Sequence, residues 1–526
     1  MADQQTKLAT ASGQHGWLNL LHIFRGKNKP RWLERGILVL MALFLPLLLI
    51  SNPRISATDE AQYYVYLTSL RFDGDLDFAN DYARLAELNP KAGIDNLLSE
   101  SRIREKTGLY GNIAPVGSAL LWAPFFLAAD LAVQTANVFG AGISADGFSK
   151  PYIVAVCYGS ALYAFAGLLL CYRLARRYAS QRAATLATAT VWLATPLLFY
   201  MIVQMAFAHA NGFFLVSLFL WVWQGTRGQG SGGRGQEAAM RGRGVRAWVA
   251  LGIIGGLMTM TREQLGLFLL LPAIEAVVDY RNIVFRPTTS SSRVSLAAGQ
   301  FGRHALFLAV FLLTLVPQLL TYQVLNGEPR PASEVGGKFN LCSPHWIDTL
   351  IDYDPAPAAR CNIVGDPAVD FPRFAHGAFV WAPVLPLALA GLLLLWRRDR
   401  FLVAVLLTAF LAQTYLNGAF GTTWHLSGSF GFRRLIECSP IFIPGLALLL
   451  DRAMIRVDWR VLALLALVLI AWNFGLVANW TVLQPDLRKG LVWPDVWRWQ
   501  LEVPVRLVNT LRALLFDRCS LMENGC

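Results

Sequence analysis

The chain has 526 residues, of which 55% are hydrophobic and only 15% are charged. Soluble globular domains carry about 25% charged residues, so this composition excludes a disordered chain and disfavours a soluble enzyme. The formal net charge is +12, but the basic residues lie in short loops between apolar runs. That distribution is typical of membrane topology, so we expect no nucleic-acid partner and predict a polytopic membrane protein in contact with the lipid bilayer.

Apolar runs long enough to cross a bilayer recur along the chain, and inside lipid only helices satisfy such a backbone. The predicted fold is therefore all-α, with about 11–13 helical segments and a large first extracytoplasmic loop. The predicted spans are 34–50, 113–133, 152–172, 184–204, 207–224, 247–260, 265–279, 305–325, 376–396, 401–417, 435–450 and 461–480.

The basic loops are assigned to the cytoplasm by the positive-inside rule. No small-residue cleavage site follows the first apolar run, so we expect an uncleaved anchor in the plasma (inner) membrane. The predicted parts are a cytoplasmic segment 1–34, a membrane domain 35–480 with outer loops 51–112 and 326–374, and an extracytoplasmic interfacial tail 481–526.

This orientation requires an odd number of crossings between the outer loop 51–112 and the basic loop 173–182. Two apolar runs lie there, so one of them is expected to be re-entrant or interfacial. The run 113–133 is the candidate, because it begins near Pro115 and contains Pro124.

Four cysteines fall on the predicted outer side: Cys342, Cys361, Cys519 and Cys526. Four thiols allow three pairings if two disulfides form. A Cys342–Cys361 bond is favoured because both residues lie in one loop, and free thiols are the alternative.

An acidic pair, Asp59-Glu60, opens the first outer loop in the string SATDEAQYY. Adjacent carboxylates on a helix point in different directions, so one is able to face a cavity while the other orients a neighbouring group. The alternative is a solvated helix start with acids in its first turn. The aromatics that follow, Tyr63, Tyr64 and Tyr66, are expected to pack at the interface.

An acidic pair placed just after the first span resembles the hallmark of the GT-C superfamily of integral-membrane glycosyltransferases. The similarity is to the bacterial family that resembles protein O-mannosyltransferases and the aminoarabinose transferases of lipid A. Three further strings resemble segments of that family in the same order: NIAPVGSALLWAPFF, RLARRYASQRAATLATATVWLATPLLFYMIVQMAFAHANGFFLVSLFL and GSFGFRRLIECSPIF.

The resemblance implies a GT-C architecture and a polyprenyl-phosphate sugar as donor substrate. It implies attack by an acceptor hydroxyl on the anomeric carbon, with inversion, at the outer face of the membrane. Asp59 matches the family's catalytic aspartate, a general base, and Glu60 matches the supporting acid. The acceptor is a protein, a lipid or a glycan.

A departing phosphate needs positive charge, and arginine binds phosphate bidentately. Arg262 in TREQ, and Arg433 and Arg434 in GFRR, fall at predicted outer helix ends on the same side as Asp59. They are the candidate donor-phosphate ligands, and snorkelling towards lipid headgroups is the alternative.

Candidate substrate-binding residues are His209 and Asn211 in AFAHANGFF, and Trp424 with His425. Packing or capping roles are the alternatives for all four. The turn at His209 resembles an acidic metal-binding motif of oligosaccharyltransferases but carries no carboxylate here. A lone histidine is weak evidence for a metal, so no metal ligand is assigned and no cofactor is firmly expected, although a divalent metal is not excluded.

Two other function classes stay open from the sequence. A secondary transporter or flippase would be expected to show internal repeats and charged residues at mid-membrane, and the mid-span acids here are few, Asp130 and Glu275 among them. A surface-polysaccharide polymerase or ligase would need a large outer loop, but not the early acidic pair.

Overall fold

The computed structural model describes residues 34–227, 243–285, 289–332, 339, 341, 345–351, 376–420, 424, 426, 428–483 and 492–516. Within these ranges the protein is helical, and its strand-like pairing is an isolated antiparallel bridge between Ile103 and Tyr110. The predicted all-α fold class is confirmed.

The helices are numbered here in chain order over the described residues. They are α1 Arg35–Leu49, α2 Thr58–Thr68, α3 Ala79–Leu88, α4 Gly117–Val138, α5 Lys150–Ala175, α6 Gln181–Leu193, α7 Leu197–Ile202, α8 Ala208–Gly225, α9 Val245–Thr261, α10 Leu270–Val284, α11 Ser290–Thr314, α12 Val316–Asn326, α13 Asp348–Ile351, α14 Ala378–Trp381, α15 Val384–Leu393, α16 Arg400–Gly418, α17 Ser439–Ala453, α18 Trp459–Ala478 and α19 Trp493–Phe516.

Among the described residues, five helical stretches are long and apolar enough to cross a membrane, which supports a multi-pass membrane protein. They are Gly117–Val138, Lys150–Ala175, Ser290–Asn326, Arg400–Gly418 and Trp459–Leu483.

Three predicted spans are interrupted at prolines instead of running as single helices. The span 184–204 divides into α6 and α7 around Pro196, and the span 376–396 divides into α14 and α15 at Pro383. In the span 305–325 a new helix begins beside Pro317. Proline lacks the backbone N–H that a continuous helix needs, so each break has a local cause.

The two ends of the bundle differ in chemistry. At one end, called the basic end, Arg176 lies 3.6 Å from Glu34 and Arg227 lies 3.0 Å from Asp399. The opposite end is called the site end because Asp59 meets Arg433 there. Residues predicted to share one side of the membrane are therefore found at one end of the bundle.

Helix α4 covers the run for which the sequence predicted a re-entrant or interfacial segment. Its first residue, Gly117, lies against the backbone of Thr261, at the site end of α9. The loop after α4 returns to the first large loop, where the Tyr64 hydroxyl donates to the Gly147 carbonyl. The start of α4 and the loop that follows this helix thus both contact segments at the site end, and the non-crossing of this run stays a prediction.

The cysteine prediction lies outside the described residues, because Cys342, Cys361, Cys519 and Cys526 all do. Three other cysteines, Cys157, Cys171 and Cys438, are buried free thiols.

The described part of the tail contains the long helix α19. Its apolar residues Leu501, Val505 and Val508 follow one another at helical spacing and are exposed. Such a face is typical of a helix lying in a membrane interface, which stays a prediction for this segment.

Helices α15 and α17 approach each other closely at two glycines, Gly391 and Gly445. Gly391 faces the Gly445 carbonyl, and a Cβ at Gly445 would collide with the Ala388 carbonyl oxygen. Only a hydrogen fits at these positions. The two glycines therefore set the distance between α15 and α17.

We predict that Gly445→Ala destabilises the bundle by about 1–3 kcal/mol, the usual cost of overpacking a close contact. Thermal melting of the purified protein in detergent measures this. Gly299→Ala is the matched control, since a Cβ at Gly299 meets nothing within 4 Å. Equal melting temperatures for the two variants would contradict the close approach.

Candidate active site

A cavity of about 520 Å³ opens at the site end of the bundle. Its wall comes from separate parts of the chain that meet only in the folded protein. The lining residues are Asp59, Gln62, Tyr63, Ile113, Ala114, Pro115, Phe207, His209, Arg262, Glu263, Gln264, Gly266, Leu267, Phe339, Leu416, Asn417, Phe420, Arg433 and Arg434.

Asp59 lies in the first turn of α2, where the helix dipole favours a negative charge. Its Oδ2 accepts a hydrogen bond from Arg433 Nη2 at 2.8 Å. The Asp59 side chain keeps 37% of its exposure, so the carboxylate is reachable from the cavity while Arg433 holds its direction.

Glu60 points the other way, as expected for adjacent residues on a helix. Its side chain is fully buried, and Oε2 accepts hydrogen bonds from the Ser56 N–H at 2.5 Å and from the Ser56 hydroxyl at 3.0 Å. Glu60 does not line the cavity. The structure therefore places Asp59 at the cavity and Glu60 behind it, where it fixes the turn that leads into α2.

Burial raises the pKa of the Glu60 carboxyl from 4.5 to about 7, against the opposing effect of the two Ser56 donors. In the unfolded chain this carboxyl loses its proton near its ordinary pKa. Between those values the native state binds more protons, so native stability falls as the pH rises.

We predict that Glu60→Gln removes this pH dependence, which amounts to about 3 kcal/mol between about pH 4.5 and pH 7. The test compares melting temperatures of wild type and variant in detergent across that range. Wild type should lose more stability than the variant as the pH rises. Parallel curves for the two proteins would refute the buried position of this carboxyl.

Arg433 and Arg434 lie together in a 3₁₀ turn, Arg433–Cys438, that precedes α17. The guanidinium of Arg433 lies 5.0 Å from the Phe207 ring centre, and that of Arg434 lies 4.5 Å from the Phe420 ring centre. These aromatic faces direct both cations along the cavity wall.

Arg262 follows α9 in an extended conformation and reaches the same cavity. Burial, together with the charges of Arg433 and Arg262, lowers the pKa of the Arg434 guanidinium to about 9. Three like charges near one another are costly in a partly desolvated site. An anion entering the cavity would relieve that repulsion.

His209 opens α8 and is 3% exposed. Its Nδ1 lies 3.0 Å from Glu437 Oε1, and its Nε2 lies 3.0 Å from Arg262 Nη1. Arg262 Nη1 also contacts Nδ1, so Glu437 and Arg262 both meet the imidazole on its Nδ1 side. His209 is thus a cavity residue with two defined side-chain partners.

Asn211 and Trp424, two of the other predicted substrate residues, do not line the cavity in the described part of the chain. Asn211 is buried in α8, and neither atom of its amide has a hydrogen-bond partner among the described residues. Trp424 stacks on His345 with ring centres 4.2 Å apart, away from the cavity lining. His425 lies outside the described residues.

The three tyrosines of α2 divide between two roles. The Tyr66 hydroxyl donates to the Ala114 carbonyl at 2.9 Å, and the Tyr64 hydroxyl donates to Gly147. These two were expected at the interface, but both are buried inside the protein, where they tie α2 to the segments before and after α4. Tyr63 lines the cavity instead.

Two acidic residues that the sequence analysis did not single out belong to the site. Glu437 binds His209 and Arg262, and Glu263 accepts a hydrogen bond from the Tyr322 hydroxyl. A signal for Glu437 was present, because it is an ionisable residue within the apolar run 435–450. Within the described ranges no cluster of three His, Cys, Asp or Glu side chains is placed to hold a metal.

No family model matches the chain, and no curated protein matches it. Among solved structures, the chain is similar to ArnT from Cupriavidus metallidurans at 15% identity and a TM-score of 0.42, over 90% of this chain and 75% of that one. It is also similar to the Archaeoglobus fulgidus oligosaccharyltransferase at 13% identity and a TM-score of 0.43, over 90% of this chain and 56% of that one.

A third similar structure is the archaeal oligosaccharyltransferase AglB from Archaeoglobus fulgidus in complex with an inhibitory peptide and a dolichol-phosphate. The identity is 14% and the TM-score 0.43, over 84% of this chain and 55% of that one. The chain thus spans little more than half the length of the archaeal proteins that it matches.

Proposed function

We propose that this protein is a GT-C-type membrane glycosyltransferase that transfers a sugar from a polyprenyl-phosphate donor to an acceptor hydroxyl. The observation that supports this best is the joint placement of Asp59, Arg262, Arg433 and Arg434 on the wall of one cavity. A carboxylate that accepts a proton and a group of cations that binds phosphate are the two functions that such a transfer needs.

In the proposed reaction the acceptor oxygen attacks the anomeric carbon and the bond from that carbon to the phosphate oxygen breaks. The sugar configuration inverts, the acceptor proton passes to Asp59, and the negative charge gathers on the departing polyprenyl phosphate. The three guanidinium groups stabilise that charge more strongly as it develops. Arg433 links the two functions, since it binds Asp59 and lines the same cavity.

The pairing of the mid-span acids favours an enzyme over a transporter. Asp130 accepts hydrogen bonds from Arg71 at 3.0 Å and from the Tyr152 hydroxyl at 2.7 Å, and Glu275 binds Arg243 at 2.6 Å. None of these residues lines the cavity. Acids that carry ions through a transporter would be expected on the pathway itself.

We predict that Asp59→Asn abolishes sugar transfer while the protein still inserts and folds, because an amide does not accept the proton. The measurement is transfer of radiolabelled sugar from polyprenyl-phosphate donors in membranes. Arg398→Gln, an exposed change at the basic end, is the control. Full transfer by the Asp59 variant would exclude this residue as the base, and absence of transfer by wild type from every donor would favour transport.

The site is proposed to face the extracytoplasmic side of the inner membrane. In a variant whose seven native cysteines are replaced by serine, Asp95→Cys marks the loop at the site end and Arg397→Cys marks the basic end. Both positions are exposed. A membrane-impermeant maleimide added to intact cells should label Asp95→Cys and leave Arg397→Cys unlabelled. The reverse pattern would invert the topology and contradict the proposed side.

A further inference from the structure

Glu437 is a buried carboxylate directly behind the cavity wall. It belongs to the same 3₁₀ turn as Arg433 and Arg434, is 1% exposed, and does not itself line the cavity. A carboxylate so far from water is costly unless it is bonded to donors or to a cation. Its position therefore depends on the groups that it binds.

One oxygen of Glu437 meets two side chains that do line the cavity. Oε1 lies 3.0 Å from His209 Nδ1 and 3.1 Å from Arg262 Nη1. These three residues come from α8, from the segment after α9 and from the turn before α17. One buried charge thus joins three elements of the wall at a single point.

The backbone is shaped for this contact. A Cβ on Gly212 would lie 3.1 Å from both Cγ and Oε1 of Glu437 and 3.0 Å from Leu265 Cδ1, which is tighter than side chains normally approach. Gly212 is one turn along α8 from His209, on the same helix face. The hydrogen of this glycine lets the Glu437 carboxylate reach His209.

We propose that Glu437 is a positioning residue that orients Arg262 and His209 towards the anionic group of the substrate. This inference rests on the proposed function, because the anion in question is the phosphate of the polyprenyl donor. A guanidinium carries five N–H donors, and the bond to Glu437 is made through one nitrogen, Nη1. The rest of the Arg262 fork is held in a fixed direction at the cavity.

The carboxylate also compensates the repulsion within the cation cluster. Arg262, Arg433 and Arg434 line one cavity, and a negative charge behind Arg262 lowers the cost of keeping it beside the other two. Without that charge, Arg262 is expected to turn away from its neighbours. Preorganised donors bind a phosphate more tightly than donors that must first be ordered.

The chain offers a matched control at its other end. Glu275 binds Arg243 at 2.6 Å and the Trp223 indole N–H at 2.7 Å, and it lies away from the cavity. Glu437→Gln and Glu275→Gln therefore each remove one carboxylate charge from an arginine pair inside the bundle. Only the first change lies behind the cavity wall.

The test measures binding of a C55 polyprenyl phosphate and of the uncharged C55 polyprenol to the purified full chain in detergent. Glu437→Gln should bind the phosphate between about tenfold and a hundredfold more weakly than wild type, with polyprenol binding unchanged. Glu275→Gln should bind both lipids as wild type does. Because binding is measured, the result does not depend on whether sugar transfer is detected.

Glu437→Asp retains the charge and should recover part of the lost phosphate affinity. Gly212→Ala, which leaves every polar group in place, should weaken phosphate binding in the same direction, and it serves as the test if Glu437→Gln does not fold. Equal phosphate affinity in wild type and Glu437→Gln, an equal loss in Glu275→Gln, or a wild type that binds phosphate no better than polyprenol would each overturn the inference.

If wild type transfers no sugar but Glu437→Gln still shows selective loss of phosphate binding, the enzyme proposal fails. In that case Glu437 still positions Arg262 and His209, but at an anion-binding site that does not transfer sugar.

Discussion

The ion pair between Asp59 and Arg433 is the contact on which the site depends. Its partners are 374 residues apart in sequence and lie 2.8 Å apart in the fold. One follows the first helix and the other precedes α17, so the pair forms only when the early loop closes on the late part of the bundle. Arg433 keeps only 21% of its side-chain exposure, so leaving it without a carboxylate partner is costly, and that cost opposes any arrangement in which these two segments separate.

Three arginine–carboxylate pairs, this one included, differ in where they lie relative to the cavity. Arg243 with Glu275 lies away from the cavity. Arg262 with Glu437 places its arginine on the cavity wall, and Arg433 with Asp59 places both of its members there. The same chemistry thus serves packing in one place and presents charge to a cavity in another. What differs is whether the guanidinium lines the cavity.

The sequence analysis succeeded where the signal is local. Hydropathy located the helices, and the prolines at 196, 317 and 383 explain the breaks within predicted spans. The charge pattern placed Asp59, Arg262, Arg433 and Arg434 on one side of the membrane, and the structure finds all four on one cavity wall. The charge pattern by itself did not separate Asp59 from Glu60, and only the resemblance gave them different roles. Which of two adjacent acids faces the cavity depends on how α2 is rotated against its neighbours.

Composition and spacing alone determined an all-α membrane protein, its basic loops and the acidic pair, because burial of apolar surface and the cost of buried charge act on short stretches of chain. Tertiary structure alone decided that Glu437 meets His209 and Arg262, that Gly212 permits this approach, and that Asn211 and Trp424 lie off the cavity. These outcomes depend on contacts between helices distant in sequence, and helix periodicity does not encode the rotation of one helix against another.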